Sequence, residues 1–121
     1  MLNSDISEKE LLAMVVELAQ RCGWLAAHFR PAMTQHGWRT AVQGNAGFPD
    51  LVLVRGKRLI FAELKSEKGK LTEEQSAWIN DLRGCHILPL GWEEEPPLPE
   101  VYIWRPSQFD EIVSILQLKG E

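Results

Sequence analysis

The sequence predicts a mixed α/β domain with a central sheet flanked by helices, in the order αβββαβα. Three observations predict it. Two apolar, β-prone runs, at residues 50–54 and 59–65, flank the short basic turn Arg55-Gly56-Lys57-Arg58 and read as a hairpin. Capped amphipathic stripes with helical spacing open the chain, follow the hairpin and close the chain. The short run Val101-Tyr102-Ile103-Trp104, between the second and third stripes, reads as a further strand. At 121 residues, 45% of them hydrophobic, the chain suffices for one ordinary core, so residues 1–121 are expected to form a single domain.

The first helix is signalled by Asp5 or Ser7 as a cap, with Glu8 or Glu10 three residues later to complete a capping box, and runs to about Gly23. Its apolar positions Leu11, Leu12, Val15, Leu18, Ala19 and Cys22 follow one stripe. Glu8 extends that stripe inward, whereas Glu10 shares the wetter side with Met14, Glu17 and Arg21. If the helix contributes a carboxylate to a site, the pattern selects Glu8. The alternative is that both acids only serve the helix amino terminus, an effect of about 0.3–1 kcal/mol.

Residues 24–30 read as the first strand, and 31–47 as a long irregular stretch without periodicity. Within it, Arg30, His36 and Arg39 have the chemistry to meet a phosphate backbone, and Trp38 to stack on a base. A surface loop with one anchoring aromatic accounts for them nearly as well. After the hairpin comes a polar loop, residues 66–70, and Thr72 with Gln75 signals a second capping box. Gln75, Trp78, Ile79 and Leu82 share one face of the helix that follows, which ends near Gly84. Gln75 suits a site contact or the cap itself, and the sequence leaves the two open.

Residues 86–90 read as a short strand, and 91–99, rich in proline and glutamate, as a loop that no sheet interior can contain. Ser107 is the expected cap of the last helix, with Phe109, Ile112, Val113 and Leu116 on its apolar face. Trp92 and Trp104 read as packing residues. Cys22 and Cys85 lack metal-type spacing and read as reduced core thiols. The opening residues are polar and acidic, and no window has the length of a membrane span, so a cytoplasmic protein is expected.

The chemistry concentrates at Asp50, Glu63 and Lys65. On one strand, Glu63 and Lys65 are two residues apart and project to the same side, with Leu64 between them pointing into the core. Hairpin pairing brings Asp50 towards Glu63. Two carboxylates with free oxygens suit a hard divalent cation such as Mg2+. The net charge of −4 argues against nucleic-acid binding by bulk electrostatics, but residues 55–70 carry six basic and two acidic side chains. A basic surface beside the carboxylates suits a phosphodiester substrate; a solvated turn and loop is the bland reading, as is a surface ion pair for Glu63 and Lys65.

A Pro-Asp followed, after a hairpin, by Glu-x-Lys is the PD-(D/E)xK pattern of restriction-endonuclease-like nucleases. More closely, residues 47–78 resemble the VRR-NUC family, in which Gly-x-Pro-Asp-Leu precedes a Glu-x-Lys strand, a glycine-containing basic loop and a helix opening with Gln. The resemblance implies a restriction-endonuclease-like fold and a Mg2+- or Mn2+-dependent deoxyribonuclease. It implies that Asp50 and Glu63 ligate the metal, that the Leu64 carbonyl completes its shell, and that Lys65 is the catalytic lysine. Gln75 matches the glutamine of the family's following helix, and Glu8 the acidic residue opening its first helix. Lys68 and Lys70, with Arg30 and Arg39, are the expected DNA contacts. The stretch 85–100 departs from the pattern, being longer and richer in proline than the usual link to the last strand. Stand-alone domains of this size resemble phage or bacterial nucleases that act as homodimers on branched DNA such as Holliday junctions, in DNA repair among other settings. The competing expectation is a catalytically silent nucleic-acid-binding or assembly module.

Overall fold

The computed structural model describes residues 5–29, 32–35, 37–39, 43–86 and 98–118, with the backbone alone at 32–34, 38 and 39. Helix α1 spans Glu8–Arg21. Ser7 is its cap, accepting from the Glu10 amide at 3.1 Å while Glu10 accepts from the Ser7 amide at 3.3 Å. The box therefore consumes Glu10 and leaves Glu8 free of that duty. Gly23, with φ +88°, turns the chain back into β1, Leu25–His28.

The irregular stretch expected at 31–47 contains two short strands, β2 (Ala32–Thr34) and β3 (Gly37–Arg39), paired antiparallel as a separate ribbon. Strands of three residues are too short to impose a readable alternation, which is why no pattern announced them. The expected hairpin is present as β4 (Leu51–Arg55) and β5 (Arg58–Leu64), with Arg55 opposite Arg58. Gly56 takes φ +60° at the first turn position, the place a type II′ hairpin favours glycine.

Helix α2 spans Glu73–Arg83 and carries the predicted Thr72–Gln75 capping box. It leads to β6, Glu100–Trp104, which lies parallel to β5. The main sheet has the order β1-β4-β5-β6, mixed in direction and flanked by helices, as expected of a restriction-endonuclease-like fold. The last helix, α3, starts at Phe109 and ends at Gln117, behind a 3-10 turn at Pro106–Gln108. Ser107 thus lies inside that turn and does not cap α3.

Leu11, Val15 and Ala19 of α1 and Ile112 and Leu116 of α3 pack on Leu51, Leu53, Ile60, Ala62 and Leu64. These sheet residues alternate, so the opposite face of β4 and β5 is left for the side chains of the site. Trp24, expected in the first strand, precedes it and is buried, donating from Nε1 to the Leu116 carbonyl at 2.9 Å. Trp104 is buried too, as expected.

The hairpin arginines have structural work at the far end of the sheet. Arg55 donates to the Cys22 and Leu116 carbonyls, at 2.9 Å each, with its guanidinium 4.6 Å from the Trp24 ring centre. Arg58 donates to Ile115 and Leu118 and forms a two-pronged pair with Glu100 at 2.7 and 2.8 Å. Cations at helix carboxyl ends meet unpaired carbonyls and the negative end of the dipole. The basic run therefore splits, and only Lys65, Lys68 and Lys70 stay with the carboxylates. Cys22 is half-buried against the core, but Cys85 is exposed, so the second thiol is not a core residue. The strand expected at 86–90 and Trp92 lie outside the described residues, apart from His86. Among the described residues, no helix is long and apolar enough to cross a membrane.

Candidate active site

The hairpin register pairs Leu51 with Ala62, so the next pair outward sets Asp50 opposite Glu63. Pro49, fully buried, anchors Asp50 at the edge of the core. The chain reversal at Gly23 brings the start of α1 level with this end of the sheet. One carboxylate oxygen each from Glu8, Asp50 and Glu63 consequently lies within 4.8 Å of the others. Three elements distant in sequence supply them.

Asp50 Oδ2 accepts from the Leu64 amide at 2.9 Å, which ties the lead into β4 to the end of β5. Glu63 is 1% exposed. Its Oε2 accepts from Gln75 Nε2 at 3.1 Å and lies 3.9 Å from Lys65 Nζ, while its Oε1 is buried without a hydrogen-bond partner. Gln75 performs both roles left open by the sequence: its Oε1 accepts from the Thr72 amide at 2.9 Å while its Nε2 reaches Glu63. Lys65 is 8% exposed, so its pairing with Glu63 is buried and the surface ion pair is excluded.

Burial pushes the Glu63 carboxyl up to about 9, reinforced by the Asp50 charge, with Lys65 opposing. Burial also raises Glu8, against the pull of Lys65 and with a push from Asp50. Glu8 as a whole residue is exposed. Its carboxylate nonetheless has a crowded setting, with one oxygen within 4.8 Å of oxygens of Asp50 and Glu63. A crowded trio of acids with one orphaned buried oxygen is unfavourable alone and fits a hard, oxygen-seeking divalent cation.

Two residues shape this arrangement without having been singled out for it in the sequence. Gly47 takes φ +101°, and a Cβ there would lie 2.6 Å from the Glu74 carbonyl carbon and 2.8 Å from the Gln75 nitrogen. Only glycine lets α2 approach closely enough for Gln75 to reach Glu63. Arg105 Nη1 lies 2.8, 3.3 and 2.7 Å from the carbonyl oxygens of Ser66, Glu67 and Gly69, which accept from it. Glu67 in turn accepts from the Ser107 amide at 3.1 Å, and the Lys65 amide donates to Trp104 at 2.9 Å. The loop after Lys65 is therefore pinned to the end of β6. The glycine opens the Gly-x-Pro-Asp-Leu run and is a readable signal; an arginine at least 36 residues from each of its carbonyl partners is not.

Of the expected DNA contacts, Lys68 and Lys70 are exposed on that pinned loop. Arg30 and His36 lie outside the described residues, and Arg39 and Trp38 are described only as backbone in β3. Beside the carboxylates, on the α2 side of the sheet, Phe48 makes edge contacts with Phe29, Phe61 and Trp78 at centroid distances of 5.6, 5.9 and 5.0 Å.

No curated protein and no solved structure matches the chain. A comparison with protein families gives a match to the VRR-NUC domain over residues 8–89, well over half of the 121. That span begins at the glutamate opening α1 and takes in all of β4, β5 and α2, and the chain accordingly belongs to the VRR-NUC domain family of nucleases.

Proposed function

We propose that the protein is a metal-dependent endonuclease that hydrolyses DNA phosphodiesters with Mg2+ or Mn2+. The observation that carries this reading is the convergence of Glu8, Asp50 and Glu63 within 4.8 Å beside a buried lysine. These three carboxylates, with the Leu64 backbone carbonyl, would hold the cation. When bound, it supplies Lewis-acid neutralisation of the phosphate and an acidified water. Gln75 fixes Glu63 Oε2 in place, leaving Oε1 available. Lys65 Nζ, in its charged form, orients the attacking water and offsets charge growing on the phosphate; in its neutral form it takes the water's proton. Lys68 and Lys70 contact the DNA backbone, and Arg30 and Arg39 extend that contact.

The chain works as one nuclease domain in the cytoplasm of a bacterium or phage-infected host. Branched DNA such as a Holliday junction is its substrate, cut by a homodimer whose two-fold axis matches the two symmetric incisions. Cleavage of linear, flapped, single-stranded and four-way substrates in Mn2+ or Mg2+, beside an Asp50→Ala variant, tests all of this. The wild type should cut and the variant should not. Binding without cleavage in either metal would instead favour a silent nucleic-acid-binding module.

A further inference from the structure

We propose that Phe29 is a nucleobase-stacking residue that receives a base of the DNA strand held at the carboxylates. The inference rests on the DNA-cleaving reading and goes beyond it by assigning a base contact. Phe29 follows β1, at the same end of the sheet as Asp50, Glu63 and Glu8. Its amide donates to the Asp50 carbonyl at 3.1 Å, so it lies one strand spacing, about 5 Å, from that acid.

Phe29 is 42% exposed, a large apolar residue to leave in water beside a site for a polar, charged substrate. It is also held rigidly. Phe48 meets it edge-on at 81°, and Phe48 is itself braced by Phe61 and Trp78 at 88° and 87°. A ring fixed at its edge with an open surface loses little freedom when a base stacks on it. Stacking of this kind tolerates any base, because each has a π-face. A strongly exposed apolar residue within β1, Leu25 at 76%, lies at the far end of the strand from the carboxylates and serves as an internal control.

The test is titration of a single-stranded oligonucleotide carrying the fluorescent base 2-aminopurine, with Ca2+ present, into the wild type and the Phe29→Leu, Phe29→Tyr and Leu25→Ser variants. Stacking quenches the probe. Wild type and Phe29→Tyr should quench it; Phe29→Leu, which keeps apolar contact with Phe48, should lose the quenching and bind about tenfold more weakly, the scale of one stacked base. Leu25→Ser should match the wild type. In Mn2+ cleavage, Phe29→Leu should raise KM about tenfold and leave kcat nearly unchanged. Equal quenching and affinity for wild type and Phe29→Leu would overturn the proposal, as would no binding by the wild type. Quenching without cleavage would uphold stacking while sinking the nuclease reading, and cleavage with an unaltered Phe29→Leu KM would do the reverse.

Discussion

Replacing Glu63 by Gln should remove a pH-dependent weakness of the metal-free protein. In the folded chain, burial and Asp50 push the Glu63 carboxyl up to about 9, whereas in the unfolded chain it titrates at the ordinary 4.5. The folded state thus binds more protons between these values, so stability is full below the unfolded pKa and falls as pH rises towards the folded one. Each pH unit in that window costs about 1.4 kcal/mol. From pH 5 to 7 the loss from this group is about 3 kcal/mol, or on the order of 10 °C in Tm for a chain of this length. A glutamine keeps the acceptor for Gln75 Nε2 and has nothing to titrate. Thermal unfolding of both proteins in chelator at pH 5, 6 and 7 measures the difference, in which groups remote from Glu63 cancel. The variant should lose less stability with rising pH than the wild type by that amount. Adding Mn2+ at pH 7 should restore the wild type with release of a proton and leave the variant unchanged. Parallel pH dependences for the two proteins would refute the reasoning.

Lys65→Ala should abolish cutting while leaving Mn2+ binding largely intact, because the oxygen donors remain; calorimetry showing lost Mn2+ binding would contradict the role assigned. Gly47→Ala should cost about 2–4 kcal/mol, from a left-handed φ imposed on alanine and a collision with the α2 backbone, read as a lower midpoint in urea. It should also weaken cleavage by withdrawing Gln75 from Glu63. Arg105→Gln should cost about 2 kcal/mol by freeing the carbonyls of residues 66, 67 and 69. Hydrogen exchange in that loop should rise and kcat fall with Mn2+ affinity retained.

The periodicities of the sequence determine the local arrangement of the site. Alternation along β5 puts Glu63 and Lys65 on one side, and the 3.6-residue stripe of α1 sends Glu8 inward, because side-chain direction follows directly from backbone period. The turn at Gly56 and the boxes at Ser7 and Thr72 were legible for the same reason: each is a contact over a few residues. Tertiary structure alone decided the rest. Arg55 and Arg58 look like substrate contacts in a basic run, yet long-range packing commits them to the ends of α1 and α3. The β2–β3 ribbon is too short to leave a period, and the reach of Arg105 to the loop after Lys65 depends on where β6 ends. What Gln75 does was ambiguous as sequence because cap and ligand both ask for an amide in the first helical turn. The approach of α2 to Gly47, an affair of backbone against backbone, let one side chain do both.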